Sequence, residues 1–188
     1  LDICGRDIMT SDISVPLEET GGAVLEVNAG PGFRMHLAPA VGLPRNVAGY
    51  VIDKLFPHGE TGRIPIVAVT GTNGKTTTTR LIAHMAKMKG FKVGYTTTDG
   101  VYIQNRLLMK GDCTGPQSAE FVLKDPTVNF AVLECARGGL LRAGLGFHKC
   151  DVGIVTNVAA DHLGLKGIHT IEQLAKVKGV IPETVLPS

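Results

Sequence analysis

No run of lysine and arginine occurs in this chain of 188 residues, and its formal net charge is only +2. A nucleic-acid binder needs a basic stripe or patch, and neither is present. The four cysteines, Cys4, Cys113, Cys135 and Cys150, form no C-x-x-C pair, which argues against a zinc site. Unpaired spacing of this kind favours a reducing, cytoplasmic compartment. No apolar run approaches the roughly 20 residues of a membrane span, and nothing reads as a signal peptide. The expected partners therefore include neither nucleic acid nor membrane. The chain also lacks an initiator methionine: it begins at Leu1, in strand-like sequence, and ends at Ser188 shortly after a helical pattern. It is expected to be a piece of something longer.

What is present suffices for a folded core: 44% hydrophobic residues against 19% charged ones. Residues 1–9 and 23–27 read as two strands joined by a loop containing Pro16, Gly21 and Gly22. Val47, Val51, Ile52 and Leu55 recur at helical spacing within residues 45–56. Residues 57–62 read as a linker. From Arg63 onward strands and helices alternate. Apolar strands are predicted at 64–69, 91–95, 129–133 and 152–155, with helices at 75–89, 116–124 and 170–181. This order predicts an α/β fold, a mainly parallel sheet with helices on both faces, whose ligands sit beyond the carboxyl ends of the strands.

The most specific segment is Ile64-Pro-Ile-Val-Ala-Val-Thr-Gly-Thr-Asn-Gly-Lys-Thr-Thr77. It reads as a buried strand, a glycine-rich turn and a helix start. Gly71 and Gly74 allow close backbone approach to an oxyanion, with Thr72, Asn73 and Thr77 completing the loop. The helix N-terminus adds roughly half a positive charge. Lys75 can reach the β- and γ-phosphates of ATP, and the Thr76 hydroxyl can bind Mg²⁺. The general G-x-x-x-x-G-K-[ST] pattern asks for glycine at position 69, where this chain has Val69.

The variant Thr70-Gly-Thr-Asn-Gly-Lys-Thr-Thr77 resembles the P-loop of the Mur ligase superfamily, which includes UDP-muramoyl peptide ligases, folylpolyglutamate synthetase and cyanophycin synthetase. The resemblance implies ATP and Mg²⁺ as cofactors and extends to the other strand ends. Glu134, closing the strand at 129–133, stands where the family has a magnesium-binding glutamate. Thr156-Asn-Val-Ala-Ala-Asp-His-Leu-Gly164 is similar to the family's T-N-[IV]-x-x-D-H-L-D signature, which implies that His162 binds a second Mg²⁺. Gly164 replaces the usual aspartate. The family also carries a carbamylated lysine on the following helix. Lys176 and Lys178 both qualify, and Lys178 fits the spacing from Glu172 better. Thr114-Gly-Pro-Gln-Ser118 resembles the family's T-T-P substrate segment. Thr96 to Gly100 follows a strand and is expected to face substrate, and Arg137 is placed to meet an anionic group.

A second signal lies in Leu25-Glu-Val-Asn-Ala-Gly-Pro-Gly32. Glu26 and Asn28, two apart on a strand, face one side. The pattern resembles the end of an ATP-grasp domain, and Asp7 fits the earlier aspartate of that metal site. Residues 1–58 are then the C-terminal part of an ATP-grasp domain, and residues 63–188 a Mur ligase-like central domain truncated at its C-terminus. That order resembles the cyanophycin synthetase family. The resemblance implies an ATP-dependent carboxylate–amine ligase polymerising Asp and Arg, with a growing peptide as partner and a homo-oligomeric full-length protein. Lys75, His162 and Lys178 become the catalytic set. Other Mur-type ligases, and a P-loop protein without ligase chemistry, remain as alternatives.

Overall fold

The computed structural model describes residues 3–160, 163–164 and 167–187. The chain divides into two compact units, Leu1–Arg63 and Ile64–Ser188. In the first, β1 (Gly5–Met9) and β2 (Ala23–Asn28) pair antiparallel, with Asp7 opposite Glu26, Gly5 opposite Asn28 and a bulge between Asp7 and Ile8. Three helices accompany them: α1 (Leu17–Thr20), α2 (Arg34–Leu37) and α3 (Val47–Leu55). The first two are single turns, and α1 lies inside the segment that sequence pattern reads as loop. α3 starts where Asn46 Oδ1 accepts the Gly49 N–H at 3.0 Å, a side-chain cap that satisfies an otherwise orphaned donor. No described residue of this unit is buried, although it holds many apolar side chains.

The second unit follows the order β3 (Ile66–Thr70), α4 (Lys75–Met88), β4 (Val93–Thr97), β5 (Gly100–Ile103), β6 (Arg106–Lys110), α5 (Pro116–Leu123), β7 (Phe130–Glu134), α6 (Arg137–Ala143), β8 (Val152–Val155) and α7 (Ile171–Glu183). The sheet order is β6-β5-β4-β7-β3-β8. β4, β7, β3 and β8 are mutually parallel, as the alternation of strands and helices predicts. β5 and β6 add an antiparallel hairpin that pattern reading misses. Its turn residues Gln104 and Asn105 both take positive φ, 49° and 71°, without the glycine that usually marks such a turn. α6 is likewise unforeseen, because Arg137-Gly-Gly139 reads as a turn.

The core explains the layering. Successive residues of a strand face opposite sides of a sheet. Val67, Val69 and Val132 pack with Ala83 and Ala86 of α4 on one face. Ile66, Ala68, Ala131 and Leu133 pack on the other with Ala119 and Val122 of α5 and Ile181 of α7. Burial on both faces explains why these strands read as continuous apolar runs. Among the described residues no helix is long and apolar enough to cross a membrane.

Candidate functional site

The register decides which side chains can meet. Val69 lies beside Glu134 on one neighbour and Ile154 on the other, and Thr70 lies beside Val155. The segments leaving β3, β7 and β8 therefore emerge side by side at one sheet edge, where α/β sheets place their ligands.

The loop after β3 is shaped by two glycines in the left-handed region, Gly71 at φ 146° and Gly74 at φ 81°. A Cβ on Gly71 would lie 1.9 Å from Thr156 Oγ1, so both the conformation and the space demand glycine. Gly74 is the N-cap of α4, and no side chain caps that end. The first N–H groups of a 14-residue helix are thus left to an outside acceptor. Lys75 Nζ donates to the Thr72 carbonyl at 3.0 Å, folding its ammonium over the loop.

Thr76 and Glu134 meet directly. The Thr76 hydroxyl donates to Glu134 Oε2 at 2.8 Å and lies 3.2 Å from the Thr98 hydroxyl. Glu134 is 2% exposed, and its Oε1 has no hydrogen-bond partner. Burial pushes this carboxyl above its ordinary range; the Thr76 hydrogen bond and the Lys75 charge pull the other way. A buried carboxylate with one unsatisfied oxygen, beside a hydroxyl, suits a hard divalent cation that takes oxygen ligands. No group of three His, Cys, Asp or Glu side chains among the described residues is placed to hold a metal alone. Such a cation would draw its remaining ligands from phosphate and water, as Mg²⁺ commonly does.

Lys178 of α7 reaches into the same place. It is 3% exposed, and its Nζ donates to the Gly71 carbonyl at 2.6 Å. Burial, then the Lys75 and Arg137 charges, lower its pKa to about 8. Lys176 is exposed, and Lys178, which the spacing from Glu172 favours, is the one that meets the loop. Lys75, Lys178 and Arg137 line a cavity of about 190 Å³ together with Gly71 and Thr72. Three cationic side chains beside a helix N-terminus make this a site for a polyanion.

Thr114 is buried, with its N–H and hydroxyl both donating to Asp112 Oδ1; with Gln117, Ser118 and Arg142 it lines a second cavity of about 360 Å³. The expectation for Thr96 needs correction. Thr96 and Thr97 are buried within β4, and Thr96 Oγ1 accepts the Glu134 N–H at 3.1 Å. Thr96 holds Glu134 in place instead of facing a substrate, because β4 runs two residues further than its apolar stretch implies. Thr98 is the member of the run that reaches the site. Asp7, Glu26 and Asn28 belong to the other unit, where the hairpin sets Asp7 across from Glu26. His162 lies outside the described residues. Asn157, which sequence reasoning passed over in favour of His162, contacts the β3 loop through both its side chain and its backbone.

Residues 69–187 match the Mur ligase middle domain. Over all 188 residues the chain is 67% identical to a cyanophycin synthetase of Synechocystis sp., and over 187 residues 64% identical to one of Trichormus variabilis. It spans all of this chain but only 22% and 21% of those relatives, about a fifth of their length. Among solved structures it resembles a UDP-N-acetylmuramoyl-L-alanyl-D-glutamate–2,6-diaminopimelate ligase at 32% identity and a TM-score of 0.50, covering 61% of this chain and 23% of that one.

Proposed function

This chain belongs to the Mur ligase middle-domain family, and on that premise we propose that it is the nucleotide-binding part of an ATP-dependent amide-forming ligase. The longer protein joins aspartate and arginine into cyanophycin, and this part serves the step that adds arginine to an aspartate side-chain carboxylate. One observation carries the reading: Lys75, the Thr76–Glu134 pair and Lys178 converge on one glycine-rich loop. The 67% identity to a cyanophycin synthetase supports the choice of substrates.

The chemistry runs in two displacements. A carboxylate oxygen attacks the γ-phosphorus of ATP, the bond to the β–γ bridging oxygen breaks, and ADP leaves. The arginine amine then attacks the acyl carbon, the bond to phosphate breaks, and inorganic phosphate departs as the new amide loses its proton. The helix N–H groups after Gly74 and the Lys75 ammonium hold the phosphates in line and offset their charge. Arg137, which lines the same cavity, orients the anionic acceptor. Thr76 and Glu134 hold a Mg²⁺ that, when bound, neutralises phosphate charge. His162 and a carbamylated Lys178 are assigned to a second Mg²⁺. Lys178 is the suitable lysine because its lowered pKa leaves more neutral amine to react with carbon dioxide.

The first unit is assigned to the end of an ATP-grasp domain, with Asp7, Glu26 and Asn28 as its metal ligands. The cross-strand placement of Asp7 against Glu26 supports this. Phosphate release by the full-length protein, with each amino acid in turn and a β-Asp-Arg primer, tests the whole assignment. Release is expected with aspartate and arginine. Release driven by an unrelated amino acid, or by none, would overturn it.

A further inference from the structure

The loop after β8 does more than lead toward α7. Asn157 clamps Asn73 through a closed pair of hydrogen bonds: the Asn73 N–H donates to Asn157 Oδ1 at 3.1 Å, and Asn157 Nδ2 donates to the Asn73 carbonyl at 2.9 Å. Thr156 Oγ1 donates to that same carbonyl at 2.7 Å. The Thr72 N–H donates to the Asn157 backbone carbonyl at 2.9 Å, and the Ala159 N–H donates to Thr72 Oγ1 at 3.0 Å. Both residues in the middle of the glycine-rich loop are therefore held by a segment 84 positions away in sequence.

Two consequences follow. The N–H groups of Thr72 and Asn73 are already committed to Asn157, so the phosphate-facing donors are those from Gly74 onward. A clamp of this form also demands an amide. Its oxygen must accept while its nitrogen donates, from a side chain short enough to reach both backbone atoms of one residue. Aspartate has the shape without the donor, and alanine has neither.

We propose that Asn157 is a positioning residue for nucleotide binding: its amide sets the conformation of residues 72–73 and thereby aims the N-terminus of α4 and Lys75 at the phosphates. The proposal rests on the functional reading above. It adds that the β8 segment shapes the nucleotide loop as well as leading to the assigned metal site.

The test measures ADP affinity for the Mur-type site, and the arginine- and aspartate-dependent phosphate release, in the full-length protein. Wild type, Lys75→Ala, Asn157→Ala and Asn157→Asp are compared. Losing both hydrogen bonds that fix the exposed loop backbone at Asn73 is expected to weaken ADP binding and raise the KM for ATP by about tenfold in both Asn157 variants. The kcat at saturating ATP should fall less, and aspartate-dependent release should be unchanged. Asn157→Asp should be no better than Asn157→Ala near neutral pH. Its affinity should recover toward wild type as the pH is lowered, because a protonated carboxyl regains a donor for the Asn73 carbonyl. Asn157→Asp binding ADP like wild type at neutral pH would overturn the proposal. So would a loss in both variants that leaves KM unchanged. If Lys75→Ala leaves ADP binding intact, the functional reading fails; if Lys75→Ala abolishes it while both Asn157 variants bind normally, only the clamp fails.

Discussion

Thr76 and Glu134, 58 positions apart in sequence, share a 2.8 Å hydrogen bond at the mouth of the sheet, and the second carboxylate oxygen is buried with nothing to bond. The arrangement is costly for a protein without ligands, because burying an unsatisfied charged group is unfavourable. It becomes favourable once a cation satisfies the free oxygen.

A prediction about stability comes directly from this pair. The folded-state pKa of Glu134 is raised, so on increasing pH the unfolded chain gives up its proton first. The contribution of Glu134 to stability therefore falls as pH rises from the ordinary glutamate value of 4.5 through the raised folded value, and is constant above it. Glu134→Gln should remove this pH dependence from thermal unfolding, while weakening the stabilisation by Mg²⁺ with ADP at least about tenfold in apparent affinity. A variant that keeps full Mg²⁺-dependent stabilisation would contradict the metal assignment.

Lys178 predicts the opposite slope. Its folded-state pKa, lowered to about 8 from 10.5, means that the folded protein loses the proton first as pH rises. In buffer free of carbon dioxide, where Lys178 is unmodified, wild-type stability should therefore gain on Lys178→Met between about 8 and 10.5 and not below that range. No change in the difference across that range would contradict the burial of its charge.

The same lysine should carry the carbamate. Incubation with ¹³C-bicarbonate is expected to give a carbamate ¹³C resonance in wild type and in Lys176→Arg, and none in Lys178→Arg. A signal that survives Lys178→Arg would move the assignment elsewhere.

Gly71 supplies a steric test. Alanine there places Cβ 1.9 Å from Thr156 Oγ1 at a φ of 146°. Gly71→Ala should destabilise the fold by about 1–3 kcal/mol and abolish nucleotide binding, since the loop and the β8 segment must move apart. Pairing it with Thr156→Ser should not rescue, because the clashing oxygen remains, whereas Thr156→Ala should recover part of the lost stability.

Sequence pattern reaches far into this fold, for identifiable reasons. β3 and β7 are buried on both faces, so their apolar runs are unbroken, and Gly71, Gly74 and Lys75 are close enough in sequence to read as one motif. The hairpin of β5 and β6 escapes because Gln104 and Asn105 turn the chain without glycine. Thr96 misleads because a threonine run at a strand end reads as loop, and only the register shows which hydroxyls stay inside the sheet. Spacing from Glu172 already favours Lys178 over Lys176, but its hydrogen bond to the Gly71 carbonyl is a tertiary fact. The clamp by Asn157 is invisible in sequence because its partner lies on another strand's loop.

The central claim is that this loop drives arginine addition. It is tested most directly by arginine-dependent ATP turnover in full-length Lys75→Ala, with aspartate-dependent turnover measured in the same preparation. Loss of the first with retention of the second is the predicted result; undiminished arginine incorporation would contradict it.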